Sequence, residues 1–150
     1  MYEKKCSEQG FTLIEAIVAT GIIGIGFVGV FSMTSASEEI IRKSLTKQIL
    51  QMQAEQIFEN IENDISNIDN YNFDLINCDD LDSTDTEITT VNLNKWCQRI
   101  NGTVISPTTN DKRIITVTDF SEGGKIVDIL FEAYNGQVQI AMKRVYDHAS

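Results

Sequence analysis

The stretch Gly10-Phe11-Thr12-Leu13-Ile14-Glu15 opens an apolar run that lasts to about Met33. From Phe11 to Met33 there are 23 residues, and Glu15 is the only one with an ionisable side chain. As a helix with about 1.5 Å of rise per residue, the run is roughly 34 Å long, enough to span a hydrocarbon core of about 30 Å. A carboxylate inside such a helix costs on the order of 2.5–3.5 kcal/mol on insertion scales, so Glu15 requires an explanation.

Two simple interpretations of this run give Glu15 no role. A secretory signal peptide would use Lys4 and Lys5 as its basic end and the small residues 34–37 for cleavage, but it would be longer than signal peptides usually are. A plain single-pass anchor is the second interpretation, and it predicts an apolar residue at position 15. Neither explains why a carboxylate stands there.

The same residues give the chain a resemblance to the type IV pilin superfamily. The similarity is carried by a short polar leader, by the sequence G-F-T-L-I-E from Gly10 to Glu15, and by the hydrophobic run that follows. The resemblance implies that a prepilin peptidase cuts between Gly10 and Phe11 and methylates the new amino terminus. It also implies that Glu15 pairs with the amino group of Phe11 in a neighbouring subunit during filament assembly.

The overall charge and the missing motifs exclude several functions. The net charge of −10 argues against nucleic-acid binding, which needs Lys and Arg to displace counterions, and against docking of the soluble part on anionic lipid. There is no phosphate-binding glycine loop and no Gly-x-Ser-x-Gly elbow, and the single histidine, His148, lies near the end of the chain. We therefore predict no enzyme, no catalytic residue, no metal and no cofactor, but the substrate of a processing enzyme.

The three cysteines divide according to the pilin resemblance. Cys6 lies in the leader, on the reducing side of the membrane, and is removed by processing. Cys78 and Cys97 remain as a pair in an oxidising compartment and are predicted to form a disulfide. A metal site is the weaker alternative, because structural zinc requires four ligands.

Beyond the apolar run the sequence predicts that the helix continues to about Ile68. No Gly or Pro occurs from Val30 to Leu81, and two apolar stripes are present. At 100° per residue the stripes lie nearly opposite each other, so the later stripe is predicted to pack on a sheet and the earlier one to face neighbouring subunits. The earlier stripe consists of Ile41, Leu45, Ile49 and Met52, and the later one of Leu50, Ala54, Ile57, Ile61, Ile65 and Ile68.

An acidic stretch follows, with eleven carboxylates and no Lys or Arg from Glu55 to Glu87. The part from Asn67 to Thr90 is rich in Asn, Asp, Ser and Thr and is predicted to be a long loop. A calcium site between Asp79 and Asp85 is an alternative to a solvated acidic surface. An EF-hand loop that began at Asp80 would require Gly at position 85 and Glu at position 91, and neither is present.

The remaining sequence predicts a short helix followed by antiparallel strands. Asn92 is the expected N-cap of the helix, Gly102 its end, and Leu93, Trp96 and Ile100 its apolar face, with Trp96 packed in the core. Strands are predicted over 113–120, 126–134 and 137–145, with a two-residue turn at Asn135-Gly136. That turn fixes the register, which pairs Ala133 with Val138, Phe131 with Ile140, Ile129 with Met142, Glu132 with Gln139, and Asp128 with Lys143.

Together these patterns predict an α+β fold, in which a long amino-terminal helix packs on a small antiparallel sheet, as in type IV pilins. The predicted segments are a leader (1–10), a transmembrane or filament-core helix (11–33), an amphipathic helix (34–68) and a head with a disulfide loop (69–150). The missing proline after the apolar run argues against a sharp kink and a major-subunit role. The segment from Val18-Ala19 to Ile25-Gly26-Phe27-Val28-Gly29 and the Leu93-x-x-Trp96 pattern look most like PilV-type minor pilins.

The function predicted is a minor pilin of a type IV pilus. Its expected partners are other pilin subunits, the prepilin peptidase and methyltransferase, and an inner-membrane assembly platform. The expected location is the bacterial inner membrane with the head in the periplasm, and afterwards the filament. A pseudopilin of a type II secretion system and a membrane-anchored ligand-binding module are the alternatives.

Overall fold

The computed structural model describes residues 11–81, 85–102, 107–120 and 123–147. The leader with Gly10 and Cys6, the acidic residue Asp82 and the terminal His148 lie outside these residues. The chain divides into two compact units, Met1–Ile41 and Arg42–Ser150. We call the second one the head unit, and we describe each unit by itself.

The first helix, α1, extends over Leu13–Asn63 and has 51 residues, so the prediction that it continues to about Ile68 is wrong. Asp64 leaves the helical region with φ −129° and ψ 42°, and a 3-10 helix follows over Ile65–Tyr71. The Asp64 carboxylate accepts hydrogen bonds from Asn67 Nδ2 and from the Tyr71 hydroxyl, each 2.8 Å long. The backbone bonds also change here, because Asp64 N donates to the carbonyl oxygen of Ile61 (3.0 Å) and Asn67 N to that of Asp64 (3.1 Å), and bonds between residues three apart are those of a 3-10 helix.

The two apolar stripes of α1 have the exposure that their positions predict. The later stripe is buried, except for the half-buried Ile65, and it packs in one core with the inward residues of the sheet. In the earlier stripe Ile41, Leu45 and Met52 are exposed and Ile49 is half-buried. The predicted α+β arrangement of a long helix on a small antiparallel sheet is therefore confirmed. The buried apolar residues of the sheet are Ile115, Val127, Ile129, Phe131, Ala133, Val138, Ile140 and Tyr146.

The sheet has four antiparallel strands in the order β1-β2-β3-β4. Their bounds are Phe73–Asp74 for β1, Arg113–Asp119 for β2, Lys125–Ala133 for β3 and Val138–Tyr146 for β4. All five predicted cross-strand pairs of β3 and β4 are present, from Ala133 with Val138 to Asp128 with Lys143. The alternation of apolar and polar residues along both strands, which allows only one face to be buried, determined this register.

The predicted turn at Asn135-Gly136 is present, because Gln137 N donates to the carbonyl oxygen of Tyr134 (3.3 Å), but the two strands stop one residue further from the turn than predicted. Four residues, 134–137, separate the strands, and Tyr134, Asn135 and Gly136 all have positive φ, at 56°, 57° and 77°. The preceding loop holds this conformation, because Asn135 N donates to Thr108 Oγ1 (3.3 Å) and Gly136 N donates to Asp111 Oδ1 (3.1 Å). Tertiary hydrogen bonds therefore decide the shape of the turn, while the even number of turn residues preserves the predicted register.

The last strand is also bonded directly to α1. The Tyr146 hydroxyl donates to the carbonyl oxygen of Phe58 (2.9 Å), and its burial raises the pKa of Tyr146 to about 12. Arg144 bonds Glu55 and Glu62 through its two terminal nitrogens, at 3.0 and 3.4 Å, and lies 4.9 Å from the centre of the Phe58 ring. These contacts fix β4 beside the helix within the head unit.

The acidic connection contains more regular structure than the long loop predicted for Asn67 to Thr90. It holds most of the 3-10 helix, strand β1, and a second 3-10 helix over Cys78–Asp80. The second α-helix, α2, extends over Ile88–Gly102, so it ends where predicted but begins earlier. Asn92 is therefore inside α2 rather than at its N-cap, and its Nδ2 donates to the Tyr71 hydroxyl (3.0 Å). Leu93, Trp96 and Ile100 are buried, as predicted.

Replacing Asp111 by Asn is expected to destabilise the head unit by about 1–3 kcal/mol. Asp111 is buried and also accepts from Thr108 N (2.7 Å), so an amide in its place turns one acceptor into a donor that faces an N–H group. Burial opposes ionisation, but hydrogen bonds from Thr108, Gly136 and Asn135 outweigh it and lower the pKa of Asp111. A lowered pKa stabilises the fold above the unfolded pKa, near 3.8, and this contribution is lost as the pH falls through the folded pKa.

The measurement is urea unfolding of the full chain in detergent at pH values between 3 and 7, followed by the fluorescence of Trp96, the only tryptophan. Asp119→Asn is the matched control, because Asp119 is exposed and bonds only through a surface pair with Lys125. The wild type and the control should lose stability together in acid, whereas Asp111→Asn should lose less. Equal stability of all three proteins at pH 7 would contradict the prediction.

Candidate functional site: the amino-terminal motif

Thr12 and Glu15 form a reciprocal hydrogen-bonded cap at the start of α1. Glu15 Oε2 accepts from Thr12 N (3.0 Å) and from Thr12 Oγ1 (2.8 Å), while Glu15 N donates to Thr12 Oγ1 (3.4 Å). Ala16 N donates to the Thr12 carbonyl oxygen (3.2 Å), which closes the first helical turn. This is a capping box, in which a Thr and a Glu three residues later satisfy backbone donors that the first turn leaves open.

The pilin resemblance gives Glu15 a partner in another subunit, and the partner in its own chain was not predicted. The signal was present, because Thr12-Leu13-Ile14-Glu15 fits the capping-box pattern of Ser or Thr followed three residues later by Glu or Gln. Both Thr12 bonds end on Oε2. Within the described part of the chain, Oε1 therefore keeps its capacity to accept a further hydrogen bond.

The predicted cleavage site is only half described. Gly10 lies outside the described residues, and Phe11 is the first residue within them, with its side chain 80% exposed. Phe11 directly precedes the cap that holds Glu15. This member of the predicted processing pair lies four residues before the predicted assembly residue, and α1 begins two residues after it.

Among the described residues of its own unit, none covers the apolar part of α1. Its large apolar side chains from Leu13 to Met33 are all more than half exposed. By length and composition α1 is able to cross a membrane, and none of its most apolar part is buried. Exposed apolar surface of this extent requires an apolar surrounding, either lipid or other protein chains.

The polar side chains along this helix are compatible with an apolar surrounding. Thr20 Oγ1 donates to the carbonyl oxygens of Ala16 and Ile17, at 3.0 and 2.9 Å, and Thr34 Oγ1 donates to that of Val30 (3.0 Å). Hydroxyl groups bonded to their own helix leave no donor unsatisfied in lipid.

Packing against the described residues does not require the four glycines of the span. A methyl group added at any of them would meet no atom within 4 Å. Each glycine costs about 1 kcal/mol of helix stability relative to alanine, so this part of α1 is intrinsically weak. Small residues also allow helices to approach closely in lipid. These glycines are Gly21, Gly24, Gly26 and Gly29.

Cys78 and Cys97 are joined by a disulfide, with their Cα atoms 5.9 Å apart. The bond ties the second 3-10 helix to the buried face of α2. Trp96 is buried next to Cys97, and its ring lies 5.5 Å from that of Tyr71. The predicted role of Trp96 in core packing is confirmed by this burial.

Among the residues that the structure describes, no group of three His, Cys, Asp or Glu side chains is close enough to hold an ion, and positions 82–84 of the acidic segment lie outside them. Asp85, which is described, has a structural role. Its Oδ1 accepts from Glu87 N (3.0 Å) and its Oδ2 from Thr90 Oγ1 (2.9 Å), just before and within the first turn of α2. Asp85 therefore serves as a local cap of α2.

Replacing Thr12 by Val is expected to weaken the first turn of α1 by about 1 kcal/mol, because the hydroxyl group of the capping box is lost at nearly constant volume. The amide of Glu15 should then exchange its hydrogen several times faster. Hydrogen exchange of the full chain in detergent micelles measures this. Thr12→Ser, which keeps the hydroxyl, is the control, and unchanged exchange in Thr12→Val would contradict the capping box.

One sequence family matches the end of the chain that carries Glu15 and the exposed apolar helix. Residues 5–31 match the sequence model of the prokaryotic N-terminal methylation motif. No curated protein and no solved structure is significantly similar to the chain. The motif implies processing by a peptidase and assembly with other pilins, and its family is structural rather than catalytic. Together with the exposed apolar helix, the motif supports a type IV prepilin-like protein suited to membrane anchoring before assembly.

Proposed function

We propose that the chain is a minor pilin, which is incorporated into a type IV pilus or primes its assembly. In this proposal the peptidase cuts between Gly10 and Phe11 and methylates Phe11. The subunit then waits in the bacterial inner membrane with its head unit in the periplasm, until the assembly platform inserts it into the filament. The observation that carries the proposal is Glu15, a carboxylate in the apolar and exposed part of α1, within a matched methylation motif.

The mechanism follows from the electrostatics of this carboxylate. Thr12 supplies two hydrogen bonds to Glu15 Oε2, which lowers the cost of holding the group in lipid but leaves its charge uncompensated. The amino group created at Phe11 of a neighbouring subunit is a cation. It can donate a hydrogen bond to Glu15 Oε1, which Thr12 does not bond. In a low-dielectric surrounding, such a pair is favoured because separating it leaves two unpaired charges. The pair therefore sets the register of adjacent helices.

We prefer a minor pilin to a major subunit because no proline interrupts α1 after the apolar run. Pro107 is the only proline in the chain, and α1 is a single helix from Leu13 to Asn63. Major pilins often have a helix-kinking proline soon after the apolar run, where this chain has Ser32 and Met33. A pseudopilin of a secretion machine would share the amino-terminal features, and neighbouring genes for a retraction motor or for an outer-membrane secretion channel separate these two candidates.

Mass spectrometry of the amino terminus of the mature protein tests the proposal. The expected result is a chain that begins with N-methylated Phe11. A chain that begins near Ser37 would indicate a signal peptide, and a chain that still begins at Met1 would indicate a plain anchor. Either result would overturn the proposal.

A further inference from the structure

The turn between β3 and β4 contains a pair of residues that are able to react with each other. They are Asn135 and Gly136, and both are exposed. In an Asn-Gly sequence the backbone nitrogen of the glycine can attack the side-chain carbonyl carbon of the asparagine, because glycine has no side chain to hinder the approach. The asparagine amide then leaves as ammonia and a cyclic succinimide forms. Asn135 is therefore a candidate site of covalent modification.

The folded turn keeps the two reacting atoms apart. Asn135 and Gly136 have φ of 57° and 77°, and Gln137 N donates to the carbonyl oxygen of Tyr134, which are the features of a type I′ turn. In such a turn the Cα–C bond of the first central residue directs the next nitrogen away from its own Cβ. Ring closure requires the opposite arrangement, with Gly136 N beside Cγ of Asn135, because the reaction proceeds only from a near-attack geometry. The turn must therefore open before the ring can close.

The loop before β2 holds the turn in this closed conformation. Thr108 Oγ1 donates to Asn135 Oδ1 (2.9 Å) and accepts from Asn135 N (3.3 Å), so one hydroxyl group fixes both the side chain and the backbone of the asparagine. Gly136 N, the nitrogen that would attack, donates to Asp111 Oδ1 (3.1 Å). Asp111 is buried and accepts from Thr108 N (2.7 Å), which joins the two holding residues to each other. The same loop therefore binds both partners of the reaction.

The bond to Asp111 also keeps the proton on Gly136 N. Burial raises the pKa of Asp111, but hydrogen bonds from Thr108, Gly136 and Asn135 outweigh it and lower the pKa. A carboxylate with a lowered pKa is a weak base for the Gly136 proton. Its negative charge also opposes the formation of a second negative charge on the amide nitrogen beside it. The closed turn therefore disfavours both the geometry and the proton transfer that the reaction requires.

We propose that Asn135 is a latent deamidation site, which Thr108 and Asp111 protect as long as the turn is bound to their loop. When the turn opens, Gly136 N attacks Cγ of Asn135 and the bond from Cγ to the amide nitrogen breaks. That nitrogen leaves as ammonia, together with the proton from Gly136 N. Water then adds to either carbonyl carbon of the succinimide and breaks its bond to the ring nitrogen, which regains a proton. The product is an aspartate or an isoaspartate at position 135.

The modified turn cannot close again in the same way. In isoaspartate the chain continues through the side-chain carbons, which adds one backbone atom before Gly136 N and displaces the donor that bonds Asp111. Both products also add a carboxylate to the turn that is bonded to this buried carboxylate, and like charges repel each other. Each opening that leads to the ring is therefore recorded irreversibly in the chain. The inference concerns the head unit alone and does not depend on the proposed function.

Mass spectrometry of the full chain in detergent tests the proposal without any substitution. Folded and urea-denatured protein are incubated at neutral pH in water enriched in ¹⁸O and then digested with trypsin, which separates Asn135 from the second Asn-Gly sequence at Asn101. In urea both asparagines should deamidate at similar rates, with ¹⁸O incorporated and isoaspartate formed. In the folded chain Asn135 should react at least about tenfold more slowly than in urea, because only the opened turn reacts. Equal rates at Asn135 in the folded and the denatured chain would overturn the proposal.

Variants of the loop test the residues that hold the turn. Thr108→Val removes both side-chain bonds to Asn135, so Asn135 should deamidate several times faster than in the wild type. Thr108→Ser keeps the hydroxyl group and should restore the slow rate. Thr109→Val is the matched control, since Thr109 is exposed in the same loop, and the fluorescence of Trp96 establishes that each variant is folded. Equal acceleration by both Val variants, or acceleration by neither, would overturn the proposal.

Discussion

Replacing Glu15 by Leu is expected to abolish incorporation of the chain into filaments while leaving it in the membrane. The change removes the single carboxylate of the apolar run, so insertion becomes more favourable by about 2.5–3.5 kcal/mol. It also removes the partner proposed for the Phe11 ammonium of the next subunit, and an amino terminus in an apolar surrounding is then left unpaired. The measurement is the ratio of subunit in sheared filaments to subunit in membranes, determined by immunoblot with the amino terminus checked by mass spectrometry.

Glu15→Gln is the informative control, because the structure gives Glu15 two separable roles. Gln accepts the two Thr12 hydrogen bonds as Glu does, so the capping box survives, but the negative charge is gone. If charge pairing drives assembly, the Gln variant fails as completely as the Leu variant. Normal assembly of the Gln variant would show that the cap is what matters, and normal assembly of the Leu variant would show that neither role of Glu15 is required. A Leu variant that keeps its function as a membrane-bound monomer would favour the membrane-anchored binding module.

Sequence periodicity predicted those parts of the fold in which neighbouring residues carry the information. The pairing of Phe131 with Ile140 and of Asp128 with Lys143 follows from strict alternation on both strands of one hairpin. The buried stripe of α1 follows in the same way from its spacing of three and four residues. In both cases one face is apolar and only one register buries it.

The errors lie where distant polar groups override local preference. Asp64 ends α1 early because its carboxylate also accepts from Thr89 (3.3 Å), which is 25 residues away. Burial raises the pKa of Tyr71, and so does the Asp64 carboxylate that its hydroxyl bonds, whereas the hydrogen bond from Asn92 opposes the rise. No local pattern indicates that Asn92 belongs to such a network rather than to a helix cap. The capping box of Thr12 and Glu15, in contrast, was visible in the sequence and was overlooked because a partner in another subunit already accounted for the carboxylate.

Loss of the Cys78–Cys97 disulfide is expected to destabilise the head unit by about 3 kcal/mol. The bond encloses 18 residues, since the sequence separation is 19, and the chain-entropy estimate for such a loop is roughly 3 kcal/mol. The structure specifies what this loop contains. It includes Asp85 and the first turns of α2, which pack on the core through Leu93 and Trp96 rather than through the sheet ladder. Reduction should therefore loosen α2 first and leave the β3–β4 hairpin intact.

Urea unfolding of the full chain in detergent, with and without a thiol reductant, measures this loss through Trp96 fluorescence, and hydrogen exchange locates it. A variant with Cys78→Ser and Cys97→Ala provides the control, because the reductant should not affect it and because Ala avoids a hydroxyl group at the buried position 97. The free energy of unfolding of this variant should be close to that of the reduced wild type. Any remaining difference reflects the packing lost with the two sulfur atoms, which is smaller than the effect of the disulfide. If reduction changes the free energy of unfolding by less than about 0.5 kcal/mol, the unfolded chain is already compact between these cysteines, and the entropic argument fails. Slower exchange in α2 than in the hairpin after reduction would contradict the proposed order of loosening.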